Sequence, residues 1–151
     1  MFKRILVPLD GSPLAEAVLP RVQELVRSLG AELCLLRVTE AHVFPGVDPT
    51  AEEVDVVQKA EAYVANLAVR LRAAGIRVHT AVRYGEASHE ILAHIADNAI
   101  DLVAMSTHGR SNLSRLLLGS VAEHVVRHAR VPVLLLRAQG KDGSPAGGGQ
   151  P

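Results

Sequence analysis

The chain has 151 residues, of which 48% are apolar, 21% charged and 3% aromatic; this is one domain's worth of chain, with enough apolar material for a two- or three-layer core. Sixteen Lys and Arg balance sixteen Asp and Glu, which excludes the excess of cations that a non-specific nucleic-acid binder sets against phosphate. No apolar stretch approaches the roughly 18 residues of a membrane span, so neither nucleic acid nor membrane is expected as a partner.

The N-terminus runs from Met1 directly into a strand-like run at Ile5, leaving no room for a cleavable signal, and the expected location is the cytoplasm. Ile5-Leu6-Val7-Pro8-Leu9 reads as a short buried strand, ended by Asp10-Gly11-Ser12-Pro13. Ser12 suits a helix cap and Pro13 the first helical position, where a missing N–H costs nothing. Leu14, Val18, Val22, Leu25, Val26 and Leu29 then mark one apolar helix face, and Gly30 stops it. Pro20 lies inside that stretch and should cost ~3 kcal/mol or kink it, yet the periodicity continues past it and predicts one helix.

The second strand is Glu32-Leu33-Cys34-Leu35-Leu36-Arg37-Val38. Cys34 is the chain's one cysteine, which rules out a disulfide framework and a Cys-based zinc cluster within the chain. Residues 39–49 read as a long loop. Thr50-Ala51-Glu52-Glu53 has the pattern of a capping box, opening a helix whose buried face carries Val57, Ala60, Val64, Leu67, Leu71 and Ala74, with Gly75 ending it. A third strand is predicted over 76–83, a helix from Glu86 to about Ala96, and a fourth strand over 100–105. A polar loop follows from Ser106 to about Arg115; Gly119-Ser120 opens a last helix ending near His128, and the fifth strand covers 131–136. The domain is thus expected over 1–137. Residues 138–151 hold five glycines and two prolines with no apolar periodicity, and are expected to be a disordered tail.

Strands alternating with helices, the strands apolar on both faces, imply a parallel sheet covered on both sides. Right-handed crossovers make this a single five-stranded, doubly wound, Rossmann-like α/β domain. Ligands in such sheets bind beyond the carboxyl ends of the strands, at the switch in winding direction, which directs attention to the loops after strands one, two and four.

The loop after strand four is the most informative. Gly109 and Gly119 bracket nine residues, and glycine lets a ligand approach backbone amides closely. Gly119-Ser120 falls at a helix N-terminus, whose free N–H groups and positive dipole end favour an anion such as phosphate. Arg110 would add a fixed positive charge. Each feature has a plainer explanation: Ser120-Val121-Ala122-Glu123 is itself a capping-box pattern, Arg110 a solvated charge, His108 a turn residue. After strand one, Asp10 places a carboxylate where it would accept hydrogen bonds from a nucleoside or help hold a phosphate-bound metal; its plainer role is an Asp-Gly turn.

Specific enzyme signatures are missing from the chain. There is no G-x-x-x-x-G-K-[ST] loop, no G-x-G-x-x-G after strand one and no G-x-S-x-G elbow. Strand three ends in Arg83-Tyr84 where a phospho-accepting receiver would carry an acid. The histidines are scattered; His124 and His128 stand four apart and are read as a solvated helix face, and nothing assembles a nucleophile, a base and an oxyanion donor.

Ile5-Leu6-Val7-Pro8-Leu9-Asp10-Gly11-Ser12, the segment 106–121 and Arg130-Val131-Pro132-Val133-Leu134 together resemble the universal stress protein family, over about residues 2–137. Nucleotide-binding members carry G-x-x-G-x9-G-[ST]; here Ser106-Thr107-His108-Gly109 is followed by nine residues and then Gly119-Ser120. The resemblance implies an ATP-binding stress-response or regulatory module with at most slow hydrolysis. Pro8, Leu9 and Asp10 would flank the nucleoside, with Val38 at the adenine. Met105, Ser106 and His108 would line the ribose side, and Gly109, Arg110, Gly119, Ser120 and Val121 would surround the phosphates, accompanied by Mg2+. It also implies a homodimer paired through the last strand, residues 131–137, and a protein partner that the sequence does not name. Serine replaces the first glycine of the motif at Ser106, and would be strained if that position required a positive φ. The alternative is a member without nucleotide, acting as a dimeric interaction module.

Overall fold

The computed structural model describes residues 1–40, 45–107 and 118–138. In chain order they form β1 (Arg4–Leu9), α1 (Pro13–Glu16), α2 (Leu19–Leu29), β2 (Glu32–Thr39), α3 (Pro49–Ala73), β3 (Val78–Tyr84), α4 (Ala87–Asp97), β4 (Leu102–Thr107), α5 (Ser120–His128) and β5 (Val133–Arg137). All five strands are parallel, in the order β3-β2-β1-β4-β5. The chain winds from β1 out to β3, then crosses back to lay β4 and β5 on the other side. The expected doubly wound sheet is therefore present, with its switch point between β1 and β4.

Side-chain alternation explains why the strands read as unbroken apolar runs: each face meets its own helical layer. Ile5, Val7, Leu33 and Leu35 pack on one face with Val22 and Val26 of α2 and Leu67 and Leu71 of α3. Leu6, Cys34, Leu36 and Val103 pack on the other with Ile91 and Ile95 of α4 and Val125 of α5. Burying each such aliphatic side chain stabilises the fold by about 1.5–3 kcal/mol. Burial pushes the Cys34 thiol pKa up, as expected of an inert core cysteine.

Element boundaries differ from the sequence-based expectation in three respects. The single helix predicted after β1 is two. α1 ends at Glu16, and Pro20 sits in the first turn of α2, where its missing N–H forfeits no helical bond. Ala17 and Val18 keep right-handed helical angles across the break, so the apolar stripe runs through it undisturbed. The second difference is the start of α3: its cap is Asp48, whose side chain accepts from the Thr50 amide at 3.0 Å, with Pro49 following. Thr50 is already helical.

The last three strands begin about two residues later than predicted. Ile76 is buried, but its N–H bonds the Leu71 carbonyl and closes the C-terminal turn of α3. Before β4, the Asp101 carboxylate takes the Lys3 and Arg4 amides at 2.7 and 3.0 Å, tying the start of β1 in place. β4 then runs on to Thr107, pairing Ser106 with Leu136 and Thr107 with Arg137. Residues 108–117 and the tail beyond Ala138 lie outside the described residues.

Candidate functional site

At the carboxyl ends of β1, β2 and β4 the sheet opens into a cleft of about 540 Å³, at the switch point where the topology directs a ligand. Pro8, Leu9 and Asp10 reach it from β1, Val38 from β2, Met105 and Ser106 from β4, and Gly119, Ser120 and Val121 from the start of α5. His108, Gly109 and Arg110, also singled out in the sequence, lie outside the described residues.

Asp10 turns the chain and faces the cleft at once. Its Oδ1 accepts both the Ser12 amide at 2.9 Å and the Ser12 hydroxyl at 2.5 Å, while the same hydroxyl accepts the Ala15 amide and caps α1. Gly11, between them, has φ +84°, which a side chain adopts only under strain. The plain Asp-Gly turn is thus real, yet Oδ2 accepts no hydrogen bond among the described residues. Burial works against the ionised carboxylate, but the Ser12 bonds and the Arg37 charge outweigh it and hold the Asp10 pKa below its ordinary value. The cleft therefore contains a fixed negative charge with a free acceptor.

On the far side of β1, the start of α5 carries no side-chain cap among the described residues. Its cap position is Gly119, which supplies no side-chain bond, and Ser120 is already the first helical residue. The capping role suggested by the Ser120–Glu123 pattern is not the one Ser120 fills: its hydroxyl makes no hydrogen bond among the described residues. The amides of Ser120, Val121 and Ala122 precede the first intrahelical bond, from Glu123 N to Gly119 O, and are directed out of the helix end. Gly119 has no positive φ, and a Cβ added to it would meet nothing within 4 Å among the described residues. Its glycine leaves open space in front of those amides. Ser106 is a β4 residue and is not among the positive-φ residues; serine carries no backbone strain there.

Several cleft residues escaped the sequence reading. Arg37 and Thr39 come from the end of β2, Glu40 follows them, Val56 belongs to α3, and Ala87 and Ile91 to α4. Glu40 accepts the Ala87 amide at 3.2 Å and so caps α4, whose own cap residue makes no side-chain bond. Arg37 was legible as the one charge inside an apolar strand run.

Other polar groups of the sequence are spent on structure. Arg83 pairs with Glu90 and Asp97 at 2.7 and 3.2 Å, which accounts for a basic residue ending β3. His124 and His128 stack with ring centroids 4.2 Å apart, and the Nδ1–H of His128 donates to the His124 carbonyl at 2.9 Å. No group of three or more His, Cys, Asp or Glu is placed to hold a metal among the described residues. No helix there is long and apolar enough to cross a membrane.

Comparison with known proteins agrees with this fold. The sequence model of the Universal stress protein family matches residues 1–137. Universal stress protein MJ0531 of Methanocaldococcus jannaschii is 30% identical over 146 residues, covering 94% of this chain and 86% of that protein. The solved structure of MJ0577, from the same organism, superposes with a TM-score of 0.78 at 29% identity, over 93% of this chain and 99% of that one. A universal stress protein solved in complex with cAMP superposes with a TM-score of 0.69 at 18% identity, over 91% and 99% of the two chains; that likeness is one of fold.

Proposed function

The chain belongs to the universal stress protein family, and from that premise we propose that its cleft binds ATP and that the protein serves as a nucleotide-responsive stress module. One observation carries the reading: the ionised Asp10 carboxylate and the N-terminus of α5, uncapped by any side chain among the described residues, line one cleft across β1. A carboxylate with a free oxygen suits ribose hydroxyls, and free helix-end amides suit phosphate. A neighbour of the same fold was solved with a cyclic nucleotide, which supports the ligand class. In this reading Pro8, Leu9 and Asp10 flank the nucleoside with Val38 at the base, Met105, Ser106 and His108 line the ribose side, and Gly109, Arg110, Gly119, Ser120 and Val121 surround the phosphates.

Mg2+ fits this donor set only as a companion of the phosphates. The described cleft residues include two carboxylates, Asp10 and Glu40, each with one oxygen already accepting a hydrogen bond, and Mg2+ binds readily through one carboxylate, phosphate oxygens and water. There it would neutralise phosphate charge. Hydrolysis is slow in this account: Asp10, held ionised with a low pKa, is a weak base, and no other cleft side chain of the described set pairs with it to activate water. ATP occupancy would instead act through residues 108–117 on a protein partner. The same reading includes a homodimer through β5, whose outer backbone edge has no neighbouring strand among the described residues.

Thermal unfolding with and without Mg-ATP tests the proposal. A ligand at about a hundred times its Kd stabilises by about 2.7 kcal/mol, which raises the Tm of a domain this size by about 5–10 °C. No shift at millimolar Mg-ATP contradicts it and leaves the nucleotide-free interaction module as the better account.

A further inference from the structure

The sheet's arginines are not treated alike. Arg4 of β1 pairs with Glu32 at 3.3 Å, and Arg83 of β3 with Glu90 and Asp97. Arg37 of β2 is half-buried at the cleft and has no carboxylate oxygen within 4.0 Å among the described residues. Of its five N–H donors, one is used there, from Nη1 to the Val38 carbonyl at 3.1 Å. Its Nη2 lies 3.8 Å from where a Gly11 side chain would begin, so the guanidinium rests against the turn that carries Asp10. A half-buried cation with most of its donors unused is the counterpart of an anion.

We propose that Arg37 is a second phosphate-recognising residue of the cleft, which would then take a nucleotide phosphorylated on the ribose 2′ or 3′ oxygen as well as on the 5′ oxygen. This rests on the nucleotide reading above and deepens it. β2 and β4 lie on opposite sides of β1, about 10 Å apart at ordinary strand spacing. The α5 amides and Arg37 therefore address opposite ends of a ligand, with Asp10 between them. A carboxylate that takes ribose hydroxyls with an arginine beside it that takes a phosphate on the same ribose is a combination with sound chemistry: the first accepts, the second only donates. An uncharged base edge would leave most of the guanidinium's donors unused, since Asp10 bears on Arg37 only through its charge and not through a hydrogen bond. The guanidinium's planar fork also suits phosphate oxygens bidentately.

The test is calorimetric titration of the full chain, wild type and Arg37→Gln, with AMP, adenosine 3′,5′-bisphosphate and adenosine 2′,5′-bisphosphate, and with Mg-ATP as reference. Wild type should bind one bisphosphate at least about tenfold more tightly than AMP. Arg37→Gln should reduce that ratio to below about threefold. Equal binding of AMP and both bisphosphates by wild type overturns the proposal, as does a preference that survives in Arg37→Gln. So does an equal loss for every nucleotide in the variant, which would make Arg37 only a neighbour of Asp10. A folded chain that binds none of the four ligands overturns the nucleotide reading and this inference together, whereas Mg-ATP binding without a bisphosphate preference overturns this inference alone.

Discussion

Ser12 donates its amide and its hydroxyl to one oxygen of Asp10 while accepting the Ala15 amide. That single side chain joins the end of β1 to the start of α1 and fixes Asp10, a cleft residue, by one of its two oxygens. The bonds lower the folded-state pKa of Asp10 below its unfolded value, so its stabilising contribution is complete above about pH 4 and is lost as pH falls through the folded pKa. Asp10→Asn should therefore unfold at a lower urea concentration than wild type at pH 7, and the gap should close as pH drops below about 4. A gap of constant size down to pH 2.5 would mean that the charge of Asp10 does nothing for the turn.

Ser106 departs from the motif's first glycine without backbone cost, because it lies within β4 and pairs with Leu136. Ser106→Gly should thus leave Mg-ATP affinity within about threefold and lower stability by about 0.5–1 kcal/mol, the entropic cost of glycine in a strand. A tenfold gain in affinity would show that serine obstructs the ligand.

Pro20 offers a direct check on the split helix. Had α1 and α2 been continuous, replacing an interior proline would recover ~3 kcal/mol. In the first turn of α2 it is nearly cost-free, and Pro20→Ala should change stability by less than about 1 kcal/mol in denaturant unfolding.

The β5 edge predicts assembly. Sedimentation equilibrium at tens of micromolar should give twice the 16.1 kDa chain mass, and Leu135→Lys, with its fold confirmed by circular dichroism, should sediment as the monomer. A wild-type monomer would leave β5 an unpaired edge.

The architecture was legible because each strand's burial on both faces is written as a continuous apolar run, as in Ile5 to Val7 and Leu33 to Leu36. Boundaries were less so where local bonding outranks hydropathy. Ile76 is apolar and buried yet belongs to the turn closing α3, and Asp48-Pro49 starts α3 ahead of the better-looking Thr50 pattern. At the site, the residues at strand ends followed from topology. Thr39, Glu40 and Val56 did not, because what joins them is proximity across β2 and α3, which no local pattern encodes, and Arg37 stood out only as a charge inside an apolar run. Ser120 looked like a cap because the spacing to Glu123 fits one; Gly119 holds that position instead.

Calorimetric titration of Mg-ATP into wild type and Gly119→Val tests the central claim most directly. The cap position tolerates valine's backbone angles and leaves space for its side chain among the described residues, at a folding cost of about 1 kcal/mol. That side chain would stand in front of the α5 amides. The account predicts micromolar binding by wild type and at least a hundredfold loss, about 2.7 kcal/mol, in a variant that stays folded. Equal affinity in the two proteins would contradict it and move the nucleotide away from α5.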